Sequence, residues 1–257
     1  MSTESVLAIV FAFLGLIFGT LLAIFMQNKQ EKYVKYAESL ASGFMLAVVF
    51  FDLLPNATEK AEFITVFFGL LAGVVIILLI SQISDKRMCT KLPKCAIMVK
   101  DNNPTSGQSL QSGKNINLSL IKNLTTAFAV ALHNIPEGFA LGALNGQEML
   151  ISTAILIALH NIPEGIAMSV PPAKIGIKWY KILLFAVITG LCTVLGWGIG
   201  VLVGGISEQV IAFLLALSAG AMLQIVFGEM MGSSDNKNSG LMTLAGLLFG
   251  MVIATLV

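Results

Sequence analysis

The sequence predicts an all-α fold, a bundle of eight membrane-spanning helices forming a single transmembrane domain over residues 1–257. The first observation is composition: 56% of the residues are hydrophobic, only 11% are charged, and the mean hydropathy is +0.89. No water-soluble core needs so much apolar sequence. The other two observations are apolar segments of spanning length along the whole chain and basic residues clustered between alternate segments. The expected surrounding is therefore a lipid bilayer, and the net charge of +1 does not indicate a nucleic-acid partner.

Each spanning helix needs roughly 20 mostly apolar residues. The first such segment follows Glu4, has no basic leader and no cleavage site, and is therefore predicted to be a retained helix and not a signal peptide. An even number of spans places both chain ends on the same side. The eight predicted spans are residues 5–26, 36–55, 62–84, 120–145, 148–171, 179–204, 208–229 and 239–257.

The basic residues predict the orientation of the bundle. Of the 15 Lys and Arg residues, 14 follow the first, third, fifth or seventh span, and only Lys60 falls on the opposite side. Cytoplasmic loops are enriched in Lys and Arg, so both termini are predicted to lie outside a multi-pass protein of the cell membrane. The one long connection, residues 85–119, is polar and lacks apolar periodicity, which predicts a flexible cytoplasmic loop.

Small residues are frequent in the sixth and eighth spans. In the eighth, Gly246 and Gly250 form a GxxxG face of the kind that lets membrane helices approach closely. Such a face packs helices either within one chain or across a homodimer interface, and packing within the chain is the commoner use.

The run His-Asn-Ile-Pro-Glu-Gly occurs twice, starting at His133 in the fourth span and at His160 in the fifth, and contains both histidines of the chain. The two histidines lie almost equally far along the chain from the polar tip at Gly146. At a rise of about 1.5 Å per residue, the two copies then face each other across a helical hairpin at nearly one depth, in mid-membrane. Within each copy the His and the Glu share a helix face, and the Pro bends the helix.

Six polar side chains at one depth predict a site for a divalent cation. Imidazole, carboxylate and amide groups are costly in hydrocarbon unless they meet each other, water or an ion. Their nitrogen and oxygen atoms suit zinc, iron(II) and manganese(II). A polar bridge between helices is the alternative, but it gives no reason for a six-residue run to repeat. The predicted ligands are His133, Asn134, Glu137, His160, Asn161 and Glu164.

Three residues outside the motifs are further candidates. Asp52 near the outer end of the second span and Glu229 at the inner end of the seventh would mark an entrance and an exit, although a carboxylate at a helix end can also simply reach water. Met45 precedes Asp52 by two helical turns and lies close to the motif depth, where its thioether is a plausible soft ligand. Core packing is the ordinary role of methionine.

These features resemble the ZIP (Zrt/Irt-like) transporters of divalent metals, especially their bacterial zinc-uptake branch. The similarity covers nearly the whole chain, including Gly43-Phe-Met-Leu, Asp52-Leu-Leu-Pro and the paired motifs. It implies a mid-membrane transport site made by the six motif residues, with Met45 facing the metal and Asp52 at the outer entrance. Zn²⁺ is then the transported substrate and not a cofactor, with Fe²⁺, Mn²⁺ and Cd²⁺ as other candidates.

The sequence departs from this family at two places. Where relatives with a two-metal site add a glutamate from the sixth helix, this chain has Cys192 and Thr193, which does not favour a second metal. The loop 85–119 also lacks a histidine cluster.

Alternative functions remain open at this stage. One alternative is a metal exporter, because the topology does not fix the direction of metal flux. A gated channel and a carrier are also both compatible with the sequence. An intramembrane zinc hydrolase is the other, but the run His-Glu-x-x-His that such enzymes use is absent, so no enzyme activity is expected.

Overall fold

The computed structural model describes residues 3–26, 31–91, 131, 133–143, 150–174, 176–203, 205–231 and 237–256. Within these ranges the chain is almost entirely helical and contains no strand. Two helices continue through a wide, π-helical turn, and we treat each as one element. The helices are α1 (Thr3–Met26), α2 (Glu31–Val48, continued by Val49–Leu53 and Leu54–Lys60), α3 (Phe63–Lys91), α4 (133–143), α5 (Leu150–Lys174), α6 (Trp179–Val203), α7 (Glu208–Ile225, continued by Val226–Met230) and α8 (Lys237–Leu256).

Six helices in the described ranges are long and apolar enough to cross a membrane. The predicted class, an all-helical membrane protein, is therefore confirmed. The count of eight spans and the outer location of both termini stay predictions. The six candidate spans are Val6–Met26, Tyr33–Lys60, Phe63–Gln82, Trp179–Val203, Glu208–Gly228 and Asn238–Leu256.

Two helices extend well beyond their predicted ends. The second span, expected to end at Pro55, continues to Lys60. Pro55 has no N–H and would clash with the carbonyl four residues back in a regular helix, and the wide turn at Val49–Leu53 just before it relieves this conflict. The third helix extends through Lys91, so residues 85–91 are helical where a flexible loop was expected. The rest of that loop, residues 92–119, lies outside the described residues.

Glycines pack the helices in four pairs. In each pair, a Cβ added to a glycine of one helix would overlap main-chain atoms of the other, so only glycine permits the approach. The GxxxG face of α8 packs on α2: Gly246 lies against the backbone of Leu40 and Gly250 against the Cβ of Ala47. A homodimer stays a prediction. The pairs, each with one glycine and the residue it meets, are α1–α5 (Gly19, Ile162), α2–α8 (Gly43, Thr243), α3–α7 (Gly73, Leu217) and α4–α6 (Gly138, Thr193).

The four pairs assemble into two bundles. Contacts between α1 and α6 join α1–α5 to α4–α6, and contacts between the end of α2 and α7 join α2–α8 to α3–α7. We call α1, α4, α5 and α6 the motif bundle, because α4 and α5 carry the two motifs, and α2, α3, α7 and α8 the flanking bundle. The flanking bundle meets the motif bundle where α2 packs along α5.

An internal repeat relates the two ends of the chain. The stretch from α1 to α3 recurs in α6 to α8. Each residue of the first stretch precedes its match in the second by the same number of residues, the number that separates Gly43 from Gly220. The wide turns of α2 and α7, Val49–Leu53 and Val226–Met230, keep the same offset. Other matched pairs are Gly19 with Gly196, Met45 with Met222, Gly69 with Gly246, and Gly73 with Gly250.

Candidate metal site

The two motifs meet across α4 and α5 as two crossed pairs. Nε2 of His160 lies 2.8 Å from Oε1 of Glu137, and Nε2 of His133 lies 3.9 Å from Oε1 of Glu164. Because His and Glu are one turn apart in each helix, this crossing requires the helices to run antiparallel, with the pairs stacked about 6 Å apart. We call Glu137–His160 the first tier and His133–Glu164 the second tier.

The antiparallel hairpin also shows that the internal repeat is inverted. Residue numbers increase in the same direction along the paired helices α1 and α5, and likewise along α4 and α6. Since α4 and α5 run in opposite directions, α1 and α6 do so too. The first and second repeats therefore have opposite orientations, and the tiers lie between them. This is a frequent architecture of membrane transporters, whose substrate sites lie at the repeat interface.

The two asparagines of the motifs have different partners. Nδ2 of Asn134 donates a hydrogen bond of 2.8 Å to Oε1 of Glu164, so this amide supports the second tier. Nδ2 of Asn161 donates one of 2.9 Å to the carbonyl of Ala12 in α1, so this amide anchors α5 to its paired helix. The amide oxygens of both asparagines have no partner among the described residues and remain available for another one.

All six predicted ligands are buried, with at most 1% of each residue exposed. Several of their polar atoms have no hydrogen-bond partner within the described residues, among them Oε2 of Glu137, Oε2 of Glu164 and Nδ1 of His160. A buried polar group left in this state costs about 1–3 kcal/mol, and more when it is charged. A cation that binds between the helices would satisfy these atoms.

The side chains are arranged as pairs and not yet as a closed coordination shell. No three His, Cys, Asp or Glu side chains in the described part of the chain converge tightly enough to hold an ion as they stand. A cation bound between the helices would require His160 and Glu137 to exchange their mutual 2.8 Å contact for contacts with the ion.

Neighbouring helices fix the closing end of both motifs and the starting end of the motif in α4. The closing glycines lie against main-chain atoms, Gly138 against Thr193 of α6 and Gly165 against Leu16 of α1. At the other end, the Ser218 hydroxyl of α7 donates a 3.2 Å hydrogen bond to the carbonyl of His133. The helix α5 continues through Pro163, the proline of the second motif.

The flanking bundle provides the other predicted residues. Met45 is fully buried. Asp52 lies in the wide turn of α2, is 7% exposed, and accepts a 2.7 Å hydrogen bond from Asn56, so it is a largely buried residue within the helix and not one at a helix end. Glu229 occupies the matching turn of α7, but its side chain lies outside the described residues.

Two buried residues of α7 were not singled out from the sequence. Ser218 contacts the main chain of the second tier, and Met222 is a fully buried counterpart of Met45. The constant offset of the internal repeat could have identified Met222, because it aligns Asp52 with Glu229 and Met45 with Met222. Of the pair at the family's additional glutamate position, Thr193 is buried and Cys192 is partly exposed.

A helical membrane protein with buried His and Glu tiers between inverted repeats has the features of a polytopic cation transporter. The comparisons with known proteins agree, since the family model described as "ZIP Zinc transporter" matches residues 98–257. The chain therefore belongs to the ZIP family of transporters, and the expectation that it is a divalent metal transporter and not an enzyme is confirmed.

Several curated relatives are similar over most of their length. The zinc transporter ZupT of Corynebacterium aurimucosum is 30% identical, covering 91% of this chain and 88% of the relative. ZupT of Campylobacter jejuni is 29% identical, covering 98% and 94%. ZupT of Chlorobium limicola is 31% identical, covering 91% and 88%.

Proposed function

We propose that this chain carries zinc across the cell membrane into the cytoplasm through the two tiers formed by α4 and α5. The observation that carries the proposal is the pair of buried, crossed His–Glu contacts, in which each carboxylate keeps an oxygen without a partner among the described residues. Membership of a family of zinc transporters supports the choice of substrate.

The charges of the site suit a divalent ion. Two ionised carboxylates, Glu137 and Glu164, balance a charge of 2+, while neutral imidazoles and amide oxygens add ligands without further charge. An ion held without excess negative charge can also be released, which transport requires. Binding needs neutral His and ionised Glu, so uptake falls as acid protonates these groups.

The orientation follows from the distribution of basic residues. With both termini outside and eight spans, α4 runs outward and α5 inward, so the first tier lies nearer the outer surface. The cation then passes Asp52, reaches the first tier, moves to the second tier, and leaves toward Glu229.

Uptake of radioactive zinc into vesicles containing the purified protein tests the proposal. The native chain is compared with a His133→Ala, Glu164→Ala double variant, and with Glu208→Gln as a matched control that changes an exposed carboxylate outside the site. We expect saturable uptake by the native chain and the control, and none by the double variant. Unlabelled Fe²⁺, Mn²⁺ and Cd²⁺ as competitors establish the order of preference.

The other outcomes point to different functions. Uptake that survives in the double variant would mean that the motifs only brace the hairpin. Without uptake by the native chain, export becomes the leading alternative, and cells that overproduce the protein would then tolerate more zinc.

A further inference from the structure

Met222 is a fully buried thioether that the proposed path through the tiers does not yet use. It belongs to the same buried cluster as Met45, and neither residue exposes any surface. The two methionines are separated by the same offset as the glycines Gly43 and Gly220, which lie two positions before them. The repeat therefore gives each half of the protein one methionine at the same position of its second helix.

The position of α7 relates Met222 to the second tier. Ser218 donates a hydrogen bond to the carbonyl of His133, which belongs to that tier. Met222 follows Ser218 by one helical turn, so it lies on the same helix face about 6 Å further along. Since the repeats have opposite orientations, α7 runs opposite to α2. Met222 then lies beyond the second tier, on the side away from the first tier.

The chemistry of a thioether suits a site that a cation passes through. Sulfur in methionine is neutral and polarisable, so it can contact a soft cation without adding charge that would trap it. Such a ligand favours Zn²⁺ and Cd²⁺ over Mn²⁺, which prefers oxygen. A methionine beyond the second tier would therefore favour softer ions at the point where the His and Glu ligands release the cation.

We propose that Met222 is a ligand for the cation in transit, receiving it from the second tier on the way to the cytoplasm. The inference rests on the proposed function. Its consequence is that Met222 contributes to the preference of the transporter for soft divalent ions, as the inner counterpart of Met45.

Core packing is the competing explanation, and one substitution separates the two. Met222→Leu nearly conserves the volume, a change that usually costs less than about 1.5 kcal/mol, but removes the sulfur. Met230→Leu is the matched control, because Met230 is also buried in α7 and its counterpart in the first repeat is Leu53. A leucine is therefore already accommodated at the matching position.

The experiment measures initial rates of Cd²⁺ and Mn²⁺ uptake into vesicles for the native chain and both variants. We expect Met222→Leu to lower the Cd²⁺ rate roughly fivefold, which corresponds to about 1 kcal/mol, with Mn²⁺ uptake unchanged. Met230→Leu should leave both rates unchanged. An unchanged ratio of Cd²⁺ to Mn²⁺ uptake in Met222→Leu would overturn the inference. If the His133→Ala, Glu164→Ala double variant also transports normally, the proposed function itself fails.

Chemical labelling gives a second readout that does not depend on transport rates. A Met222→Cys variant is made in a chain whose Cys89, Cys95 and Cys192 are replaced by alanine. We expect a small, polar thiol reagent applied from the cytoplasmic side to modify it, and Cd²⁺ to slow the modification. A thiol that stays unmodified would indicate a packed core position and would contradict the inference.

Discussion

The two copies of the His-Asn-Ile-Pro-Glu-Gly run have the same sequence and different surroundings. In α4, Asn134 supports the carboxylate of Glu164, whereas in α5 the matching Asn161 is bound to the carbonyl of Ala12. The tiers differ as well, with a His–Glu distance of 2.8 Å in the first and 3.9 Å in the second. Identical residues thus acquire different roles from the helices packed against them, so the function of each copy has to be tested separately.

The largest effect on zinc uptake is expected when a substitution removes one carboxylate charge from a tier. Glu137→Gln and Glu164→Gln each keep the side-chain shape but leave a buried site with too little charge for a divalent ion. Losing one partner of a buried charged site costs about 3 kcal/mol or more, so zinc uptake should fall by roughly a hundredfold or more. The rate of uptake into vesicles measures this, with Glu208→Gln as the control.

The two carboxylate variants also test whether the tiers act as one site. If only one of them impairs uptake while the other retains the native rate, the tiers are not equivalent, and the ion would bind at a single tier.

A second comparison concerns the glycines that close the two motifs. In Gly138→Ala the new methyl group would overlap the carbonyl of Thr193, and in Gly165→Ala it would overlap that of Leu16. Overpacking of this kind typically costs about 1–3 kcal/mol, so both variants should unfold at lower temperature in detergent. Gly198→Ala is the matched control, since it lies in α6 with open space around it. An equal loss of stability in the control would contradict the close helix approach.

The third comparison separates the asparagines. Asn134→Ala removes a hydrogen bond to a carboxylate, a contact usually worth about 1.5–3 kcal/mol, so the KM for zinc should rise about tenfold or more. Asn161→Ala removes a hydrogen bond to a main-chain carbonyl, worth about 1 kcal/mol, and should mainly lower the unfolding temperature. Kinetics and thermal unfolding of both variants are measured together. The reverse pattern would mean that Asn161, and not Asn134, serves the cation.

Much of this site can be predicted from the sequence because its parts are local. Helical periodicity places His133 and Glu137 on one face, and the repeated run within two apolar segments predicts a hairpin with both copies at one depth. The all-α class follows from apolar composition and segment length. None of these inferences requires knowledge of which helices are neighbours in space.

The features of the site and fold that the sequence does not predict depend on contacts between segments that are distant along the chain. The partner of Asn161 is the main chain of Ala12, a residue with no distinguishing side chain. The extension of α2 to Lys60 depends on a wide turn that Pro55 alone does not predict, since proline more often ends or kinks a helix. The repeat that relates Met45 to Met222 is present in the sequence, but uniformly apolar helices make such a match hard to distinguish from background similarity.

The smallest effect on zinc uptake is expected from removing the Ser218 hydroxyl, which joins the flanking bundle to one motif only. Ser218 donates to the carbonyl of His133, whereas its counterpart in the first repeat is Ala41, which has no hydroxyl to donate to α5. Ser218→Ala should therefore weaken the attachment of the second tier alone, by about 0.5–1.5 kcal/mol, and change zinc uptake by no more than about tenfold.

A matched serine on the other helix makes this prediction specific. Ser42 is also buried, but its hydroxyl donates to the carbonyl of Ser39 within α2, so Ser42→Ala changes a hydroxyl without touching a motif. If both variants alter uptake equally, the effect comes from helix stability and not from the link to His133. If only Ser218→Ala does so, the asymmetry between the two copies of the motif extends beyond the asparagines to the helices of the flanking bundle.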